Sequence, residues 1–175
     1  MLNEYFELMV EIVFRHEGTL DKFVGDEIMA LFGVPVAHGD DPHRAVRVAV
    51  EQMRALEAWN LARAARGEDA IRIGIGINSG EVVAGYLGSS KALEYTVIGD
   101  VVNTASRLCN LAGPGEILIT RRTCEIVKDA FDVEALPDAR VKNRDQAVQI
   151  YRVTGEKAAA GRGNTTYAMP VPSRT

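Results

Sequence analysis

Lys22, Asp26, Asn103 and Arg107 are the residues of this chain whose types and spacing could do chemistry. Runs rich in strand formers, 20–24 and 28–32, flank Gly25-Asp26. The pattern predicts a hairpin whose glycine relieves a tight turn. Its tip then carries one carboxylate, and an oxygen donor on a rigid tip suits a hard divalent cation such as Mg²⁺ or Mn²⁺. Taken alone, Gly-Asp is also ordinary turn chemistry. Period-2 alternation starts Lys22, Val24 and Asp26 on one face. Asn103 and Arg107 stand four apart on a predicted helix, so they project together. An amide beside a guanidinium can clamp phosphate or sugar oxygens. The same spacing also suits an exposed polar pair on a surface helix.

The surrounding elements must hold these groups in place. Leu2, Tyr5, Phe6, Met9, Ile12 and Val13 form an apolar stripe that predicts a helix over 2–16. Asp40-Asp41-Pro42 opens a second helix, with carboxylates and a proline suited to a first turn. Its core stripe runs Val46, Ala49, Val50, Met53 and Leu56, and the helix fades near Gly67. Residues 71–77 alternate Ile with Arg or Gly and read as a strand. Its interior glycines mark close approach of another backbone, a helix or a ligand. Further strands are expected over 81–87 and 93–98, followed by a helix over 101–112 that Gly113-Pro114-Gly115 stops. A short strand over 116–120 leads to Thr120, which can cap a helix over 121–129. Short strands over 131–135, 139–142 and 147–153 close the domain.

The chain has 175 residues, 47% hydrophobic and 25% charged, ordinary proportions for one globular domain. That length buries a sizeable core without disulfides. A net charge of −4 argues against a general nucleic-acid binder. Cys109 and Cys124 fall in predicted helices without metal-ligand spacing and read as reduced core or near-core thiols. No apolar run approaches the ~20 residues that span a bilayer, and no signal peptide is visible. The expectation is a cytoplasmic domain with no membrane contact from this segment. Residues 1–154 are read as one domain and 155–175 as a disordered tail rich in Ala, Gly, Thr and Pro.

Three separated motifs carry a resemblance. They are Lys22-x-x-Gly25-Asp26, Gly74-x-Gly76-Ile77-Asn78-x-Gly80 and Tyr95-Thr96-Val97-Ile98-Gly99-Asp100-x-Val102-Asn103-x-Ala105-Ser106-Arg107. In order and context they resemble the catalytic domain of the class III adenylate and guanylate cyclases. The resemblance implies an α+β, ferredoxin-like fold of βαββαβ type, with helices packed on an antiparallel-rich sheet. It implies conversion of a nucleoside triphosphate to its 3′,5′-cyclic monophosphate and pyrophosphate, in intracellular signalling. The ribose 3′-oxygen attacks the α-phosphorus in line, a reaction that needs positioning and charge neutralisation. Two Mg²⁺ or Mn²⁺ ions provide part of this in the family, and Asp26 matches the second of its metal aspartates. Asn103 matches the residue that orients the ribose, and Arg107 the one that stabilises charge at the α-phosphate. A basic residue near the C-terminal end usually contacts the terminal phosphates, a role open to Lys142 or Arg144.

Base choice follows from hydrogen-bond polarity. Adenine offers an acceptor at N1 and a donor at its 6-amino group, whereas lysine only donates and a threonine hydroxyl can accept. Lys22 and Thr96 match the family's base-reading pair in its threonine-bearing subgroup, so the substrate expected is ATP. The resemblance also implies a homodimer, or pairing with another cyclase domain, because the metal carboxylates and the base-reading residues of one site come from different chains. Lys22 and Asp26 of one chain would then serve different sites.

The family's first strand, with a Phe-x-Asp-Ile type motif and the first metal aspartate, should precede the helix at 2–16. No segment replaces it: Asp21 is only a neighbour of Lys22, and Asp40-Asp41 lies in a helix-opening loop. The expectation is a fragment or late start of a longer cyclase with an upstream regulatory domain. The competing expectation is a catalytically inactive, cyclase-like dimerisation module.

Overall fold

A computed structural model of the chain describes residues 1–89, 91–137 and 149–158. Helix α1 (Leu2–Arg15) leads into the hairpin of β1 (Thr19–Val24) and β2 (Glu27–Leu31), and then into α2 (Asp41–Ala64). β3 (Ile75–Ile77), β4 (Val83–Ser89) and β5 (Ala92–Ile98) precede α3 (Asp100–Leu111). β6 (Ile117–Thr120), α4 (Arg121–Val127), β7 (Phe131–Ala135) and β8 (Ile150–Glu156) complete the order. The result is α+β with mostly antiparallel pairing.

Among the described residues, the strands fall into three hydrogen-bonded groups. β1–β2 and β4–β5 are antiparallel hairpins, and a four-stranded sheet runs β3-β6-β8-β7. Only β3 and β6 pair in parallel among the described residues. Among the described residues, the β1–β2 hairpin shares no ladder with the larger sheet. Side chains join them instead: Tyr5 and Met9 of α1 and Leu56 of α2 pack with Ile28 of β2 and with Ile71 and Ile73.

β6 is buried along its whole length. Ile117 and Ile119 face Val46, Ala49 and Val50 of α2 and Val127 of α4, with Phe131 filling the same cluster. Leu118, one residue out of phase, meets Leu108 of α3 and Ile150 of β8. Period-2 alternation thus puts α2 and α4 on one face and α3 on the other. Each large apolar side chain fully buried here contributes roughly 1.5–3 kcal/mol relative to exposure.

Several boundaries differ from expectation. The strand expected over 71–77 forms a regular ladder only at Ile75–Ile77, an edge strand among the described residues. Before it, the Ile73 carbonyl accepts from the Gly115 N–H at 2.7 Å, and Asn60 of α2 holds Ile71. The Asn60 amide brackets the backbone of Ile71, donating to its carbonyl at 2.7 Å and accepting from its N–H at 2.9 Å. β8 continues to Glu156, and Lys157 donates its N–H to the Ala130 carbonyl at 2.9 Å. β8 thus runs two residues past 154. The strand expected over 139–142 and the tail from 159 lie outside the described residues. Thr120 caps α4, accepting from the Thr123 N–H as expected. Both cysteines are free thiols. Among the described residues, no helix is long and apolar enough to cross a membrane.

Candidate active site

The β1–β2 ladder carries an irregularity that the sequence does not announce. Leu20 pairs with Ala30, but Lys22 pairs with Met29, so Asp21 is an extra residue in β1. A bulge of this kind bends a strand and re-aims its side chains. Asp21 and Lys22, neighbours that regular alternation would send to opposite faces, both reach Thr96 of β5 or its surroundings. The Thr96 hydroxyl donates to Asp21 Oδ2 at 2.9 Å. Lys22 Nζ lies 3.7 Å from the same oxygen and 2.9 Å from Glu94 Oε1. Asp21 is nearly sealed, its side chain 2% exposed, whereas Glu94 is 59% exposed. The hydrogen bond to Glu94 and the Asp21 charge push the Lys22 ammonium above its usual range.

Asp26 occupies the hairpin tip and is exposed, next to Gly25, whose φ of +66° meets the turn's demand for a residue without Cβ. Its charge is felt at Tyr5: burial first, then Asp26, raises that phenol. Asp26 forms no hydrogen bond or ion pair with Lys22, Thr96, Asn103 or Arg107. Among the described residues, no cluster of three or more His, Cys, Asp or Glu is placed to hold a metal. An exposed carboxylate on a rigid turn is a hard oxygen donor, but it would hold a divalent ion only with further ligands from outside the described residues. The described residues do not supply the further carboxylate that a two-ion site would use.

Asn103 and Arg107 share one face of α3, with Asn103 exposed and Arg107 half-buried. Neither side chain is engaged by a hydrogen bond or ion pair with another described residue, so both are available to a ligand. α3 is seated by the glycines of β3 and the residue before it. A Cβ on Gly74 would lie 2.6 Å from the Ala112 carbonyl oxygen, and one on Gly76 would lie 2.5 Å from that of Ala105. Of the three approaches left open by the sequence, these glycines admit a helix. Asn78, just beyond β3, donates to the Val101 carbonyl at 3.0 Å and accepts from the Thr120 hydroxyl at 2.7 Å. It locks the start of α3 to the start of α4.

The structure brings Lys22 and Thr96 together and places Asn103 and Arg107 on the helix that follows Thr96. Lys142 and Arg144 lie outside the described residues. Asp21, read from sequence as a mere neighbour of Lys22, is instead the buried acceptor between the two base-reading candidates. The available signal was an aspartate inside a strand, where that residue is depleted.

Fold and site together define a nucleotide cyclase domain. The profile of the adenylate and guanylate cyclase catalytic domain matches residues 1–155, and the chain belongs to that family. Adenylate cyclase 1 of Rhizobium meliloti (strain 1021) is 38% identical over 170 residues, covering 96% of this chain and 25% of the relative. The chain thus spans about a quarter of that relative's length. The adenylyl cyclase CyaB from P. aeruginosa superposes with a TM-score of 0.85 at 34% identity, over 91% of this chain and 83% of that one. The guanylyl cyclase Cya2 gives 0.84 at 37%, over 91% and 81%. Cyclases of both specificities fit equally well, so base choice must be argued from this chain's own residues.

Proposed function

We propose that this domain is an adenylate cyclase, converting ATP to 3′,5′-cyclic AMP and pyrophosphate in intracellular signalling. The observation that carries the reading is the juxtaposition of Lys22 and Thr96 around Asp21. A donor-only ammonium beside a hydroxyl complements the acceptor N1 and the donor 6-amino group of adenine. Guanine would turn its N1–H toward Lys22, donor against donor.

Asn103 would hold the ribose so that its 3′-oxygen lines up with the α-phosphorus. Arg107, charged and without a protein partner among the described residues, would meet the negative charge that grows on the α-phosphate oxygens in the transition state. A Mg²⁺ or Mn²⁺ ion at Asp26, when bound, would neutralise phosphate charge and favour ionisation of the attacking hydroxyl. Lys142 or Arg144 would contact the terminal phosphates. Two chains are proposed to form the working unit, as a homodimer or with another cyclase domain. Val83, Tyr86, Leu93 and Tyr95 of the β4–β5 hairpin, all exposed apolar or aromatic surface, support such pairing. A longer parent with a regulatory region accords with the length of the relative from Rhizobium meliloti.

The test is cyclic AMP formation from ATP and Mn²⁺, with GTP in parallel. Product from ATP alone, abolished by Asp26→Ala, is the expected result. If a folded, dimeric chain is inactive, the same assay on a chain extended at its N-terminus separates the cases. No product from that form either would sink the enzyme reading.

The absence, among the described residues, of a His, Cys, Asp or Glu cluster that could hold a metal favours a second reading, a dimerisation module without turnover of its own. Mixing the chain with a catalytically disabled partner that keeps both metal aspartates tests it. Restored cyclic AMP formation would mean that Lys22, Thr96, Asn103 and Arg107 complete the partner's site. Silence from chains that demonstrably associate would leave the module with pairing as its sole activity.

A further inference from the structure

The geometry points to Asp21 as the residue that sets base specificity, a positioning residue acting through Thr96. The inference rests on the adenine reading and explains how a threonine can enforce it. A threonine hydroxyl is ambivalent: it has one proton to donate and two lone pairs that accept. Left free to rotate, it would accept from the 6-amino group of adenine or donate to O6 of guanine with equal ease. Such a hydroxyl discriminates poorly.

Asp21 removes the ambivalence. Its Oδ2 takes the Thr96 proton at 2.9 Å, and an ionised carboxylate offers acceptors only. Once that proton is committed, Thr96 presents nothing but lone pairs to a base. Burial makes the commitment firm, since the Asp21 side chain is 2% exposed and Thr96 8% exposed, so water cannot readily replace either partner. The alternative role for Asp21, a counter-ion for Lys22, is the weaker description. Lys22 lies 3.7 Å away and makes its close contact, 2.9 Å, with Glu94. The bulge in β1 is what allows this arrangement. Without the extra residue, Asp21 would turn away from the side on which Lys22 works.

The polarity of Thr96 is therefore set from behind, by a residue that need not touch the nucleotide. Exchanging the carboxylate for an amide, as in Asp21→Asn, should undo it. The amide could turn its NH₂ toward Thr96 and free the hydroxyl proton.

Binding of non-cyclisable nucleotides to the full chain, with Mn²⁺ present, reads this directly by calorimetry. The probes are 3′-deoxy-ATP, its analogue with hydrogen in place of the 6-amino group, and 3′-deoxy-GTP. The unsubstituted chain should prefer 3′-deoxy-ATP over the 6-hydrogen analogue by about tenfold, the worth of one well-made hydrogen bond. Asp21→Asn should bring that ratio to within about twofold, whereas Asp21→Glu, still an acceptor, should keep most of it. A general loss of packing would weaken all three ligands together and leave the ratio unchanged. If Asp21→Asn does not fold, Asp21→Ser, also able to donate, serves the same comparison. A tenfold ratio retained in the folded amide or serine variant would overturn the role of Asp21 while leaving the adenine reading intact. An unsubstituted chain that prefers adenine over guanine but ignores the 6-amino group would overturn it too. No preference for adenine over guanine would remove both the inference and the reading beneath it.

Discussion

A Cβ placed on Gly76 would lie 2.2 Å from the backbone nitrogen of Cys109, so β3 and α3 meet backbone to backbone. No rotamer change relieves such a contact, because the opposing atoms belong to a helix. Gly76→Ala should therefore push α3, and with it Asn103 and Arg107, away from the sheet. We expect a loss of about 3 kcal/mol in chemical denaturation, at the upper end for overpacking. Gly155→Ala, where a new Cβ meets nothing within 4 Å, is the control and should be close to neutral. Equal effects from both would argue that α3 is not seated through Gly76.

Much of this arrangement was legible in the sequence. The helical stripes through Met9 and Val46, the Gly25-Asp26 turn and the Thr120 cap each rest on local signals: periodicity, a residue suited to positive φ, a hydroxyl before a helix. The glycines of 74 and 76 announced a close approach without naming the neighbour. What escaped reading depends on partners distant along the chain. The bulge at Asp21 shifts register by one residue through pairing with β2, and the Asp21–Thr96 bond joins residues 75 apart. Period-2 reasoning alone kept Asp21 off the face of Lys22. The division of the strands into separate ladders was equally invisible, since it depends on which edges meet and not on the strand-forming tendency of any segment.

Asn103 and Arg107 should separate catalysis from stability. Their side chains form no hydrogen bond or ion pair with another described residue, so Asn103→Ala and Arg107→Ala should shift the melting temperature little. On the proposed adenylate cyclase activity, Arg107→Ala should lower kcat by about 10²–10³-fold, the scale for removing a preorganised group that meets developing charge. Binding of ATP should weaken far less. A variant that loses ground-state affinity in proportion to rate would show that Arg107 binds substrate and transition state alike.

Lys22 contacts Glu94 at 2.9 Å. On the proposed adenine reading, the base would have to take that donor over from Glu94. Because Glu94 is 59% exposed, the pair is worth little. Glu94→Gln should lower KM for ATP about two- to fivefold with kcat unchanged, and raising ionic strength should narrow the difference. A raised KM would instead mean that Glu94 orients Lys22 for the base.

Stability against pH should depend on Glu51 of α2. It accepts from Arg15 Nη1 and pairs with His16 Nε2, each at 2.6 Å, fastening the end of α1. The His16 hydrogen bond, aided by the Arg15 charge, outweighs burial and holds the Glu51 carboxyl below its ordinary value of 4.5. A carboxyl lowered in the folded chain stabilises the fold above the unfolded value and loses that contribution as pH falls through the folded one. Glu51→Gln should therefore cost about 1 kcal/mol at pH 7, the upper range for a partly exposed ion-pair network. The difference between the two proteins should hold down to about pH 4.5 and then shrink as the Glu51 carboxyl of the unsubstituted chain takes up its proton. Urea unfolding of both at a series of pH values measures it. A gap that stayed constant through acid would assign the effect of the substitution to packing and not to charge.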